Sequence, residues 1–247
     1  MPATPAWLWP NLLSLDAPIV ALVWQDLAAR SFGTPLHPAA RLVLGLTVWA
    51  VYLADRLLDS RATALAPKTA RHEFSRRHRR GLSALLAAVV LLDGFLAFGE
   101  LRRAVFLDGL AVAGCVGAYL CVFPLRASGW EKQVFAAVLF STGVLLVSGA
   151  WLGPLHLLLP AALFAGLCLC NLILIELWEK GRARRLLWVA PAGIAALAFA
   201  RPVSAWQDAV GLSGVLLAAA AICGPRLTAD AKRVLADVAL LTPLLFR

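Results

Sequence analysis

The chain has 247 residues, 61% of them hydrophobic and only 15% charged, and its mean hydropathy is +0.80. A soluble domain carries about a quarter charged residues, so this composition excludes an ordinary water-soluble globule and indicates a polytopic membrane protein. The net charge of +9 does not point to nucleic acid, because the basic residues crowd the short connections between apolar runs, as membrane topology requires.

With ~20 apolar residues per crossing, the sequence predicts an all-α membrane helix bundle of about nine transmembrane helices in a single domain spanning 1–247. They fall at 14–31, 38–59, 81–98, 103–124, 132–151, 155–178, 186–200, 207–224 and 232–246. Met1 to Asn11 holds no Lys or Arg and no cleavage-site pattern, so a removable signal peptide is not expected. Trp130 and Trp151 bracket one run, and Trp178, Trp188 and Trp206 stand at other ends, where tryptophan favours the bilayer interface. Cys115, Cys121, Cys168, Cys170 and Cys223 lie inside apolar runs without a CxxC or Cys/His spacing, which reads as small buried hydrophobes.

The second segment closes in Tyr52-Leu53-Ala54-Asp55-Arg56-Leu57-Leu58-Asp59. Asp55 and Asp59 are spaced i, i+4 and share one helix face. Acids beside a membrane span are costly and mark a functional site, unless they are solvated or paired with Arg56 and Arg61. The basic loop at 60–80 follows, with His72, Glu73 and Phe74 running into Arg76, Arg77, Arg79 and Arg80; this stretch is expected to form a short interfacial helix. Two roles suit it: an inside anchor that meets anionic lipid, and a lid whose cations reach a phosphate-bearing ligand.

Basic residues concentrate after the second, fourth, sixth and eighth segments, which predicts a cytoplasmic N-terminus and an outside C-terminus. Asp55 and Asp59 then face the cytoplasm. The sixth segment ends similarly, in Asn171, Glu176, Trp178 and Glu179, with the two glutamates spaced i, i+3. The separation of these two acidic ends matches two four-helix pseudo-repeats followed by a final helix, and repeats of this kind often share a site. If both acid faces turn inward, Asp55, Asp59, Glu176 and Glu179 converge, an arrangement that needs bound cations to be stable. Mg2+, held by carboxylates, water and phosphate oxygens, is the expected ion. Apolar walls beside metal and basic loops suit a prenyl diphosphate. Asn171 either orients an acceptor or bonds a neighbouring helix.

This pattern resembles the UbiA superfamily of intramembrane prenyltransferases, with nine transmembrane helices and Asp-rich motifs ending helices two and six. The first motif, NDxxDxxxD, aligns with 51–59; Asp55 and Asp59 match its last two acids, while Val51 and Tyr52 stand where the family has Asn and Asp. The second aligns with Glu176 and Glu179, glutamates in place of aspartates, with Ala183 where a third acid would stand. Phe123, Pro124, Leu125 and Arg126 are similar to the family's loop after helix four, which makes Arg126 and Lys132 the candidate phosphate-binding cations. The resemblance implies magnesium-dependent transfer of a prenyl group to a lipophilic, usually aromatic acceptor. Asp55, Asp59, Glu176 and Glu179 would be metal-binding and catalytic, and Arg126, Lys132 and Asn171 substrate-binding. Its partners would be membrane lipid, prenyl diphosphate and acceptor, and its expected location the bacterial inner membrane.

Val51 and Tyr52 favour a second reading, a noncatalytic protein of this fold that binds a lipid or a partner protein. Transport is a third, opposed by acids that gather at one membrane face instead of the midplane. A CDP-alcohol phosphotransferase is excluded because Asp108-Gly109-Leu110-Ala111-Val112 lacks the required arginine.

Overall fold

The computed structural model describes residues 9–62, 70–122, 130–181, 187–200, 204–223 and 227–246. Their ordered backbone is helical, and they contain no strand. In chain order the helices are α1 (Trp9–Leu12), α2 (Asp16–Ser31), α3 (Pro38–Ala62), α4 (Ala70–Arg77), α5 (Arg79–Glu100), α6 (Arg103–Val122), α7 (Trp130–Leu152), α8 (Leu158–Glu179), α9 (Val189–Phe199), α10 (Ala205–Cys223) and α11 (Ala229–Ala239). Short 3-10 turns cover Pro154–Leu157 and Thr242–Phe246.

Among the described residues five helical stretches are long and apolar enough to cross a membrane: Arg79–Glu100, Arg103–Val122, Trp130–Leu152, Leu155–Glu179 and Ala205–Cys223. They overlie five of the predicted crossings. The remaining predicted segments are helical too, as α2, α3, α9 and α11, but are not among the five. α2 has 16 residues and α9 and α11 have 11 each, short for a bilayer core at 1.5 Å per residue. α3 has 25 residues but carries Arg41, Asp55, Arg56, Asp59 and Arg61.

The chain divides into two compact units, Met1–Leu22 with His37–Ser128, and Val23–Leu36 with Gly129–Arg247. In the first, α3 packs along α5. Leu53 and Leu57, one turn apart on α3, meet Leu82 of α5 in a buried cluster edged by Trp49, Phe74, Leu85 and Leu86. α1 is a single turn, so its last carbonyls have no intrahelical donor. Arg56, itself buried, supplies one: its Nη1 donates to the carbonyl oxygens of Asn11 at 2.5 Å and Leu12 at 3.1 Å. Trp49 Nε1 donates to the next carbonyl, Leu13, at 2.9 Å. Ser14 then turns the chain in the left-handed region (φ 59°), and Asn11 Nδ2 donates to Asp16 Oδ2 at 2.8 Å at the start of α2.

Further along, Thr47 Oγ1 of α3 donates to Asp93 Oδ2 of α5 at 2.6 Å. Interhelical side-chain hydrogen bonds in membrane proteins contribute about 0.6 kcal/mol on average and up to about 1.7. Thr47→Val is therefore expected to cost about 1 kcal/mol, measured by unfolding of the purified protein in detergent.

The second unit is built around α8, which packs against α7, α9, α10 and α11. Its centre is aromatic. Trp24, Phe164 and Trp206 are fully buried, with ring centroids 4.4 Å apart for Trp24 and Phe164, 5.1 Å for Trp24 and Trp206, and 5.4 Å for Phe164 and Trp206. Phe32 and Phe140 extend this cluster. Trp24 Nε1 donates to the Leu240 carbonyl at 2.7 Å, just past the end of α11. Buried hydroxyls are paired as well: Thr34 with Ser148 at 2.9 Å, and Ser213 with Thr242 at 2.7 Å. α9 and α10 approach closely at Gly214, where an added Cβ would lie 2.7 Å from the Pro191 carbonyl oxygen. Small residues at such crossings let helix backbones pack in an apolar medium.

Candidate functional site

The last turn of α8 leaves the apolar run with two acids that share a face, Glu176 and Glu179. Glu176 accepts hydrogen bonds from the Gln133 amide, near the start of α7, and from the Lys180 ammonium at the end of its own helix. Glu179 Oε1 accepts from Arg233 Nη1 of α11 at 2.6 Å. These contacts tie α7, α8 and α11 together at one end of the second unit. Both acids stay partly open, with side chains 28% and 27% exposed. An ion pair at that exposure contributes little to stability; the contacts gather carboxylates and cations where an apolar helix ends.

Three buried polar atoms on α7 and α8 have no hydrogen-bond partner among the described residues: Gln133 Oε1, Asn171 Oδ1 and Trp178 Nε1. Asn171 and Trp178 are each 6% exposed and lie seven residues apart, on one face of α8. The sequence left Asn171 two roles, orienting a ligand or bonding a neighbouring helix. No such helix-helix bond is made by its Oδ1.

Asp55 is half-buried on α3 in the first unit. It stands two residues beyond Leu53, about 200° around the helix from that buried leucine. Asp59 follows it by four residues on the same unbroken helix, and its side chain lies outside the described residues. Arg126 lies outside them as well, as does the 63–69 part of the basic loop. Beyond that part, the loop forms α4 over Ala70–Arg77, in keeping with the expected short helix. Lys132 sits in the first turn of α7, half-buried, next to Gln133.

Gln133 and Arg233 are not singled out by the sequence, Arg233 being one of the basic residues that follow the eighth segment. The available signal for Gln133 was an amide near the start of an otherwise apolar span. For Arg233 it was the strong amphipathicity of Ala229–Ala239, which sets Lys232 and Arg233 among alanines and valines.

Among the described residues no three His, Cys, Asp or Glu side chains converge as a metal-binding group. Magnesium, however, is commonly held by one or two carboxylates together with water and substrate phosphates. The Glu176 and Glu179 pair has the hard oxygen donors for a site of that kind, completed by a ligand. Lys180 and Arg233 neutralise these carboxylates in the structure.

Its helical backbone and several long apolar helices place the chain among integral membrane proteins. Within that class, no family model, curated protein or solved structure matches it.

Proposed function

We propose that this chain is a UbiA-like membrane protein that binds a prenyl diphosphate and, with Mg2+, transfers the prenyl group to a lipophilic, aromatic acceptor. The observation that supports this most is the polar end of α8. An apolar helix finishes in Glu176 and Glu179, with Lys180 and Arg233 beside them. Such a combination suits a ligand with an anionic head and a hydrocarbon tail. Asp55 and Asp59 end α3 in the same manner, and they are the second half of the family's acid pattern.

In this reading Lys180 and Arg233 release the carboxylates and bind phosphate oxygens, joined by Lys132 and Arg126. Magnesium, when bound, neutralises the leaving diphosphate and favours ionisation of the allylic carbon. Glu176 and Glu179 would hold the ion, Asp55 and Asp59 being the acid pair to which the family resemblance gives the same role, and a freed carboxylate accepts the proton lost by the acceptor ring. Asn171 and Trp178 offer an acceptor oxygen and a donor N–H to polar groups of the ligand. Nine crossings with a cytoplasmic N-terminus and an external C-terminus belong to the same proposal, with the inner membrane of a bacterium as the location.

A second reading, a noncatalytic lipid- or protein-binding member of this fold, is favoured by a specific observation. Glu176 and Glu179 are each already countered by a cation, and Val51 and Tyr52 replace the family's Asn and Asp. Purified protein incubated with labelled prenyl diphosphates, magnesium and a panel of aromatic acceptors separates the two. Diphosphate release coupled to a prenylated product, abolished by chelation, is the expected result. Binding without product over the whole panel would replace the first reading by the second.

A further inference from the structure

The first unit carries a second charged feature, apart from the acids. α4 ends at Arg77, a single turn residue follows at His78, and α5 begins at Arg79. Arg76, Arg77, Arg79 and Arg80 are all exposed around this elbow, and Glu73 is the sole acid of α4. α5 is one of the helices long and apolar enough to cross a membrane. Its first turn therefore marks the level at which a crossing helix meets the headgroups, and the arginines stand at that level.

The elbow also carries aromatic rings. Phe74 stacks on His78 with centroids 4.5 Å apart, and His78 Nδ1 lies 3.2 Å from the Phe74 carbonyl oxygen. On the other side, Trp9 of α1 meets Phe74 edge-on at 6.1 Å while remaining 46% exposed. α1 is itself fixed to α3 through Arg56 and Trp49. Phe74 also reaches the buried Leu53, Leu57 and Leu82 cluster. The arginines are thus mounted on a packed support, with an exposed indole of the kind that favours the membrane interface.

We infer that the α4–α5 elbow is a docking surface for the anionic phospholipid headgroups of the bilayer that α5 crosses. Charge complementarity and position carry the inference. The guanidinium groups can bind headgroup phosphates in a bidentate manner, and Trp9 supplies the interfacial contact. This surface is independent of the prenyl-diphosphate reading and holds whichever way the chain is oriented.

The test uses the full-length protein reconstituted in vesicles of equal parts phosphatidylcholine and phosphatidylglycerol. The lipid retained after mild detergent extraction is then quantified. A basic residue near an anionic surface contributes about 1 kcal/mol, or roughly fivefold per residue at ~1.4 kcal/mol per decade. Phosphatidylglycerol is therefore expected to be enriched at least about fivefold over the bulk. The enrichment should fall in high salt, a test that needs no variant. It should be lost in R76Q/R77Q/R79Q/R80Q and kept in R102Q/R103Q, which neutralises charges at the other end of α5. Equal retention of the two lipids by wild-type protein would overturn the inference. So would displacement of phosphatidylglycerol by soluble inorganic diphosphate, which would make the elbow a site for free phosphate.

Discussion

Trp24→Ala is expected to destabilise the protein by about 4 kcal/mol, within the range for deleting a fully buried large aromatic side chain. Trp24 has no exposed surface, packs against Phe164 at a tilt and Trp206 edge-on, and donates to the Leu240 carbonyl. The truncation removes ring contacts, opens a cavity and strands the Leu240 oxygen. For a chain of this size that loss corresponds to a fall of roughly 10 °C in melting temperature, read by thermal unfolding in detergent. Trp24→Phe keeps one ring but loses the N–H bond and the volume of the second ring, so it should cost less, about 2 kcal/mol. A similar fall for both variants would contradict the weight given to ring packing in this cluster.

Arg56→Met should cost about 3 kcal/mol, with the damage confined to the first unit. The guanidinium serves two carbonyls at the end of α1, and hydrogen bonds to a charged donor contribute about 1.5–3 kcal/mol each. Once they are lost, the Leu12 carbonyl gives up its guanidinium donor and the Asn11 carbonyl is left with the longer Ser14 N–H contact at 3.3 Å. Amide hydrogen exchange is the appropriate readout: residues 9–16 should exchange faster in the variant, while α8 and α10 keep wild-type protection. Arg56→Lys restores the charge but not the fork geometry, and should recover only part of the protection. Unchanged exchange at α1 would contradict the role assigned to Arg56.

Arg56 also shows where sequence reasoning stops. Read along its own helix, it is a neutraliser for Asp55 and Asp59, because helix spacing exposes only neighbours within a turn or so. The carbonyls it meets belong to Asn11 and Leu12, more than forty residues earlier. Gln133 and Arg233 escaped notice for the same reason: their partners Glu176 and Glu179 are 43 and 54 residues away. The long apolar helices were legible because hydropathy integrates over a whole crossing, and the short α4 because its charges interrupt that pattern. The acid pairs were legible as spacings, Asp55 with Asp59 on α3 and Glu176 with Glu179 on α8. The counter-charges that the glutamates meet depend on packing, which periodicity does not encode. Asn171 gives the reverse result, since a helix-helix hydrogen bond is the ordinary expectation for a buried amide, yet its Oδ1 has no partner among the described residues.

The magnesium dependence of prenyl diphosphate binding tests the central claim most directly. Purified protein in detergent is titrated with prenyl diphosphates of several chain lengths, with magnesium and with a chelator, beside Glu176→Gln, Glu179→Gln and Asp59→Asn. Loss of a metal-holding carboxylate is expected to weaken magnesium-supported binding by at least ~10-fold, the scale seen when groups supporting a metal site are removed. The account predicts saturable binding that needs magnesium and is impaired in all three variants. Binding that is equally tight under chelation and unaffected by the three substitutions would contradict it.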